Sequence, residues 1–122
     1  MKRSLAPAAA YEAVLATLAE RGTYASARAM LVAHHAMPNH VATMRHLARA
    51  VYGTPDHRIA NRVYGSFAGR VRRELGIARL PYEIAVLGTW PEPPIDEVGE
   101  FAFRLRPEVC RAIRRLGWAR AT

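Results

Sequence analysis

Apolar residues recur every three or four positions through most of the first 75 residues, which predicts a run of amphipathic helices. From Pro7 to about Arg21 the stripe is Tyr11, Val14, Leu15 and Leu18, and Gly22 ends it. A second helix, capped by Ser26, runs to about Ala36 with Met30, Leu31 and His34 inward. Met37-Pro38-Asn39 breaks it. A third runs from Thr43, its cap, to Tyr52, with Met44, Leu47, Ala48 and Val51 as its core stripe and Gly53 as its stop. The longest pattern spans Thr54 to Gly76. Thr54 reads as N-cap, Pro55 as the first helical residue and Gly76 as the stop. At 100° per residue, one face carries Ile59, Ala60, Val63, Tyr64, Phe67, Val71 and Leu75. The opposite face carries Arg58, Asn61, Arg62, Gly65, Ser66, Gly69, Arg72 and Arg73, with Arg70 at the border.

After Gly76 the period changes. Tyr82 to Trp90 is rich in β-branched and aromatic residues and predicts a strand. Phe101, Phe103 and Leu105 alternate with Glu100, Ala102, Arg104 and Arg106, a half-buried strand. The proline-rich segment 91–99 between them predicts a long hairpin loop. A last helix runs from Pro107 to Leu116, with Val109, Ala112, Ile113 and Leu116 inward, Gly117 as its stop and Trp118 packing back on the core. The expected fold is mainly α with a β-hairpin (α+β). The third and fourth helices form a helix-turn-helix, the hairpin a wing, and the whole an extended winged helix with a C-terminal helix. Residues 1–6 are expected to be a flexible tail and 7–122 one domain.

The formal charge of +8 changes the picture, because basic residues exceed acidic ones and all but Lys2 are arginine. Genomic codon bias accounts for arginine over lysine, but not for the excess. That excess points to nucleic acid or an acidic surface as partner. Cys110, the only cysteine, excludes an internal disulfide, and a Cys-based zinc site is not expected; this fits a reducing, cytoplasmic setting, and with the basic charge a nucleoid-associated protein is expected. No apolar run reaches membrane-spanning length.

The guanidinium groups, amide and hydroxyl on the polar face of the long helix suit phosphates and base edges. The expected DNA-reading face is Arg58, Asn61, Arg62, Ser66, Arg70 and Arg73, with Arg45 and Arg49 of the preceding helix on phosphates. Gly65 and Gly69 leave bare backbone one turn apart. That is either a site for close approach of a nucleic-acid strand or a kink between shorter helices. Glu92, Asp96, Glu97 and Glu100 make the wing acidic, so its tip should point away from phosphates. Arg111, Arg114 and Arg115 form either a solvated face or a second phosphate patch.

No enzymatic constellation is visible, and neither a cofactor nor a metal is expected. His34, His35, Asn39 and His40 lie too close in sequence for a nuclease site. His35 and His40 straddle Pro38, which separates them from a shared helix face. His34 reads as a satisfied core histidine and Cys110 as an inert, half-buried thiol, although Arg111 and Arg114 are near it. Asp56 and His57 supply too few ligands for hydrolysis, so the chain is expected to leave DNA uncut.

Met30-Leu31-x-Ala33-His34, then Asn61, Tyr64, Gly65, Phe67 and Gly69, then Arg106 to Val109 and Leu116 to Trp118 carry a family likeness. From about Tyr24 to Trp118 the chain resembles the winged-helix-like module found beside HNH nuclease domains in bacterial restriction-type proteins. The resemblance implies a DNA-targeting part, with modified DNA among its targets, that works with a separate nuclease or defence protein. The expected function is non-catalytic recognition of double-stranded DNA in a bacterial or phage restriction, defence or regulatory setting. The rival expectation is a protein-interaction adaptor, an antitoxin-like or phage anti-defence protein whose arginine face meets an acidic partner. RNA is a third option, weakened by the few aromatics on the basic face.

Overall fold

The computed structural model describes residues 4–91, 94, 95 and 99–119. Five α-helices and three short strands form a mainly helical α+β fold: α1 Ala8–Ala19, α2 Ala25–Ala36, β1 Val41–Thr43, α3 Met44–Tyr52, α4 His57–Leu75, β2 Gly88–Thr89, β3 Ala102–Leu105 and α5 Pro107–Arg115. The strands make one antiparallel sheet in the order β1-β3-β2. Val41 pairs with Arg104 and Thr43 with Ala102 on one side of β3, and Gly88 pairs with Leu105 on the other. A Cβ at Gly88 would fall 2.6 Å from the Arg104 carbonyl oxygen, so only glycine lets β2 lie this close to β3.

The helical stripes expected from the sequence build the core. Tyr11, Leu15 and Leu18 of α1, Met30 and Leu31 of α2, Leu47 of α3, Tyr64, Phe67 and Val71 of α4, and Val109 and Ile113 of α5 are buried in one cluster. Met44, Val51, Ile59, Val63, Leu75 and Leu116 lie half-buried at its margin, as do Leu5 and Ala6 from the expected tail. The α3 cap is reciprocal: Thr43 Oγ1 accepts the His46 amide and His46 Nδ1 accepts the Thr43 amide. Gly53, Gly76 and Gly117 follow the ends of α3, α4 and α5 with positive φ. Trp118 packs back on the core under the Arg28 guanidinium.

Several expectations are corrected. The Asp56 side chain caps α4 by accepting the Arg58 amide, while Thr54 Oγ1 accepts the Asp56 amide and Pro55 stays outside the helix. A carboxylate one residue before the helix satisfies a first-turn donor better placed than any that Thr54 could reach. α2 begins at Ala25 without a side-chain cap. The expected strand 82–90 is a 3₁₀ turn, Glu83–Val86, followed by the two-residue β2. Val86, Leu87 and Gly88 are buried in succession, and the Val86 carbonyl accepts a 2.6 Å hydrogen bond from the Tyr11 hydroxyl, which holds the segment in its turn. Strand β1 went unexpected, because three residues carry no readable period. Phe101, expected inward, is exposed, whereas Ala102 is buried. Phe101 precedes β3 and makes only an isolated bridge to Ile95, so it is free of the sheet's alternation.

His34 holds three elements together. Its Nε2 lies 2.9 Å from the Phe103 carbonyl oxygen, which can only accept, so Nε2 carries the proton. Nδ1 therefore accepts from the Tyr64 hydroxyl at 3.0 Å. The fully buried ring thus joins α2 to α4 and to β3, the satisfied core histidine that the α2 stripe implies. Burial pushes its pKa down to about 4, partly offset by the Phe103 hydrogen bond.

Candidate nucleic-acid interface

The α3–α4 pair meets across Gly53 to Asp56, and α4 buries Ala60, Tyr64, Phe67, Ala68, Gly69 and Val71. That leaves Arg58, Asn61, Arg62, Ser66 and Arg73 exposed along one side of α4, with Arg49 exposed on α3. The expected face is therefore presented together, but its charges are not equivalent.

Arg58 Nε and Nη2 donate to the two Asp56 carboxylate oxygens at 3.0 and 2.9 Å. These hydrogen bonds hold the Asp56 carboxyl at about 2, well below the usual range. Arg70 pairs with Glu74 at 3.2 Å, one turn on, and Arg45 pairs with Glu100 from the loop before β3. The side chains of Arg49, Arg62 and Arg73 have neither a hydrogen bond nor an ion pair among the described residues. On this face they are the arginines ready to meet an anion without first breaking an internal pair.

Arg72 and Gly69 leave the polar face. The 3₁₀ turn packs over them: Arg72 Nε donates to Glu83 Oε2 at 2.9 Å and its Nη1 to the Ile77 carbonyl at 3.0 Å. A Cβ at Gly69 would lie 2.9 Å from Glu83 Oε2. The chain's own Glu83 thus makes the close approach at Gly69, and α4 runs through both glycines as one helix. Nothing lies within 4 Å of a Cβ built at Gly65. Gly65→Ala is therefore expected to stabilise the fold by about 0.5–1 kcal/mol through helix propensity, read as a rise in the urea midpoint. A lower midpoint would mean that the helix around Gly65 is packed differently.

Glu100 turns back onto Arg45, so this acid of the wing is neutralised within the fold. Glu92, Asp96 and Glu97 lie outside the described residues. Beside Asn61 opens an apolar cleft of about 310 Å³ lined by Met44, Tyr82, Ile84, Trp90, Phe101 and Phe103. Tyr82 is 66% and Phe101 65% exposed, and the Tyr82 and Trp90 rings are 5.7 Å apart. The sequence hid this cleft, because Tyr82 and Phe101 both read as strand residues. The only available signal was aromatic residues close to Pro81 and Gly99, Tyr82 one residue on and Phe101 two, where regular structure ends.

The histidines also differ from expectation. Asn39 and His40 both adopt positive φ, 57° and 59°, which folds the chain back after Pro38. His40 lies off the α2 face beyond Pro38, as expected, but the chain folds back so that the His35 and His40 rings lie 4.5 Å apart. Cys110 is buried, not half-buried, and burial pushes its thiol up to about 11 despite Arg114 and Arg111. Arg114 donates to His35 Nε2 at 3.2 Å, which turns it inward, whereas Arg115 stays exposed and pairs with Glu12 at 3.6 Å. Among the described residues no helix is long and apolar enough to cross a membrane. No protein-family model matches the chain, and neither a curated protein nor a solved structure is similar to it.

Proposed function

We propose that this chain is a double-stranded DNA-binding module of the winged-helix kind, with α4 as the reading helix. The order helix–strand–helix–helix–strand–strand from α2 to β3, with sheet order β1-β3-β2, supports that topology. The observation that carries the function is the uncompensated exposure of Arg62 and Arg73 beside Asn61 and Ser66 on the second helix of a helix-turn-helix, with Arg49 on the first. Arg62 and Asn61 lie near the start of α4, where such helices meet base edges; Arg49 and Arg73 serve phosphates. The role is recognition without chemistry, in a restriction, defence or regulatory setting. A separate nuclease or defence protein as partner follows from the resemblance alone.

Fluorescence anisotropy with a labelled duplex tests this. Two free arginines on phosphates, Arg49 and Arg73, predict log K against log [salt] with a slope of about −2, from about −0.9 per phosphate. Absence of duplex binding at low salt would sink the reading. The exposed Tyr82 and Phe101 favour a second reading, a protein adaptor docking on the apolar cleft. Unrelated duplex DNA competes for the surface in the first case and not in the second.

A further inference from the structure

His35 on α2, His40 in the turn before β1 and Cys110 on α5 each offer a ligand atom, and these atoms lie within 4.8 Å of one another. We propose that His35, His40 and Cys110 form a binding site for a thiophilic transition-metal ion, of which zinc is the probe, with a fourth position open to solvent. This inference is independent of the DNA reading.

The donor set is the first argument. Two imidazoles and one thiolate suit a borderline-soft ion such as Zn²⁺ and do not suit Mg²⁺ or Ca²⁺. Hydrogen bonding also leaves a lone pair on each ring. His40 Nδ1 donates to the His35 carbonyl oxygen at 2.7 Å, so the neutral ring keeps its lone pair on Nε2. A backbone carbonyl holding the far ring nitrogen is the usual support of a metal-bound histidine. Arginine only donates, so the Arg114 contact shows that His35 Nε2 also carries a lone pair.

The backbone is the second argument. Consecutive non-glycine residues at positive φ are costly, and such strain gathers at functional sites. Here it brings His40 onto His35 and beside α5, and an open cleft reaches the two rings from solvent. Donors of a tetrahedral zinc site stand about 3.3–3.8 Å apart, given bonds of about 2.0–2.3 Å. Closure by about 1 Å is within reach of side-chain rotation.

Two cations oppose the ion. Arg114 points at His35 Nε2, and Arg104 lines the cleft. Zinc must displace Arg114 from His35, and the Cys110 proton leaves to solvent as the thiolate binds. Removing Arg114 should therefore tighten binding, whereas a merely structural His–Arg contact would leave zinc affinity unchanged.

The test is chelator-competition titration of the full chain with Zn²⁺, alongside Co²⁺ absorption. The wild type is expected to take one equivalent of zinc, to melt higher with it, and to give a thiolate-to-cobalt charge-transfer band in the near ultraviolet. Cys110→Ser should abolish the band, His40→Ala should weaken zinc at least tenfold, and Arg114→Met should strengthen it at least tenfold. His40 is only half-buried, so His40→Ala reports even where Cys110→Ser unfolds. Zinc affinity unchanged in His40→Ala, or absent from both the wild type and Arg114→Met, would overturn the proposal.

Discussion

Acidification from neutral pH to about pH 4 is expected to remove about 3 kcal/mol of stability through His34 alone. The folded ring titrates at about 4 because it is desolvated, while the unfolded ring titrates near 6.5. Between those values the unfolded chain binds more protons than the folded one, so stability rises with pH. The contribution is complete above 6.5 and is lost as pH falls toward 4. Its size follows from 1.36 kcal/mol per pH unit over this window. Burial lowers the His35 pKa as well and adds to the loss in the same direction. Carboxylates also titrate at the acid end, so the measurement is a difference. Urea unfolding is compared between the wild type and His34→Gln across the range. Glutamine can donate to the Phe103 carbonyl and accept from Tyr64 without titrating. The variant should therefore be less stable at neutral pH but lose about 3 kcal/mol less on acidification. Parallel curves for the two proteins would assign the acid sensitivity to other groups.

His34 also shows where the sequence stops being informative. Its inward position is legible, because it falls in the Met30–Leu31 stripe of α2. Its partners, Tyr64 and Phe103, lie 30 and 69 residues away, and no local pattern names them. The helices themselves were legible wherever a local cap or stop acts: Thr43 before α3, Gly53 after it, Gly76 after α4 and Gly117 after α5. The segment 82–90 was misread because β-branched composition describes burial as much as pleating. There the tertiary contact with Tyr11 outweighs propensity. The candidate face divides in the same way. Exposure along α4 follows from the 3.6-residue period. The Arg70–Glu74 pair was open to inspection, being four residues apart on a helix, whereas the Asp56–Arg58 pair depends on Asp56 lying outside the helix as its cap. The Arg45–Glu100 pair, 55 residues apart, was not, nor was the cover that Glu83 places over Gly69.

Those pairs sharpen what mutation of the face should do to duplex binding. On the DNA reading, Arg62→Ala is expected to cost about 1–3 kcal/mol and to relax sequence preference, because a free guanidinium early in α4 faces base edges. Arg73→Ala should weaken every sequence alike and reduce the salt slope by about 1, as loss of one phosphate contact does. Arg58→Ala should matter less than either, although Arg58 is highly exposed. Its guanidinium is already held by both Asp56 carboxylate oxygens, so it makes no free contact that its removal would cost. The reverse substitution separates this from a simple count of arginines. Asp56→Asn keeps a capping side chain for α4 but releases Arg58, so DNA should bind more tightly and with a steeper salt dependence. Anisotropy titrations at two salt concentrations, on a preferred and an unrelated duplex, measure all four variants. Equal and uniform losses in Arg62→Ala and Arg73→Ala would mean that α4 is docked differently. Weaker binding in Asp56→Asn, with its melting temperature unchanged, would mean that the Asp56–Arg58 pair is itself part of the surface that the partner reads.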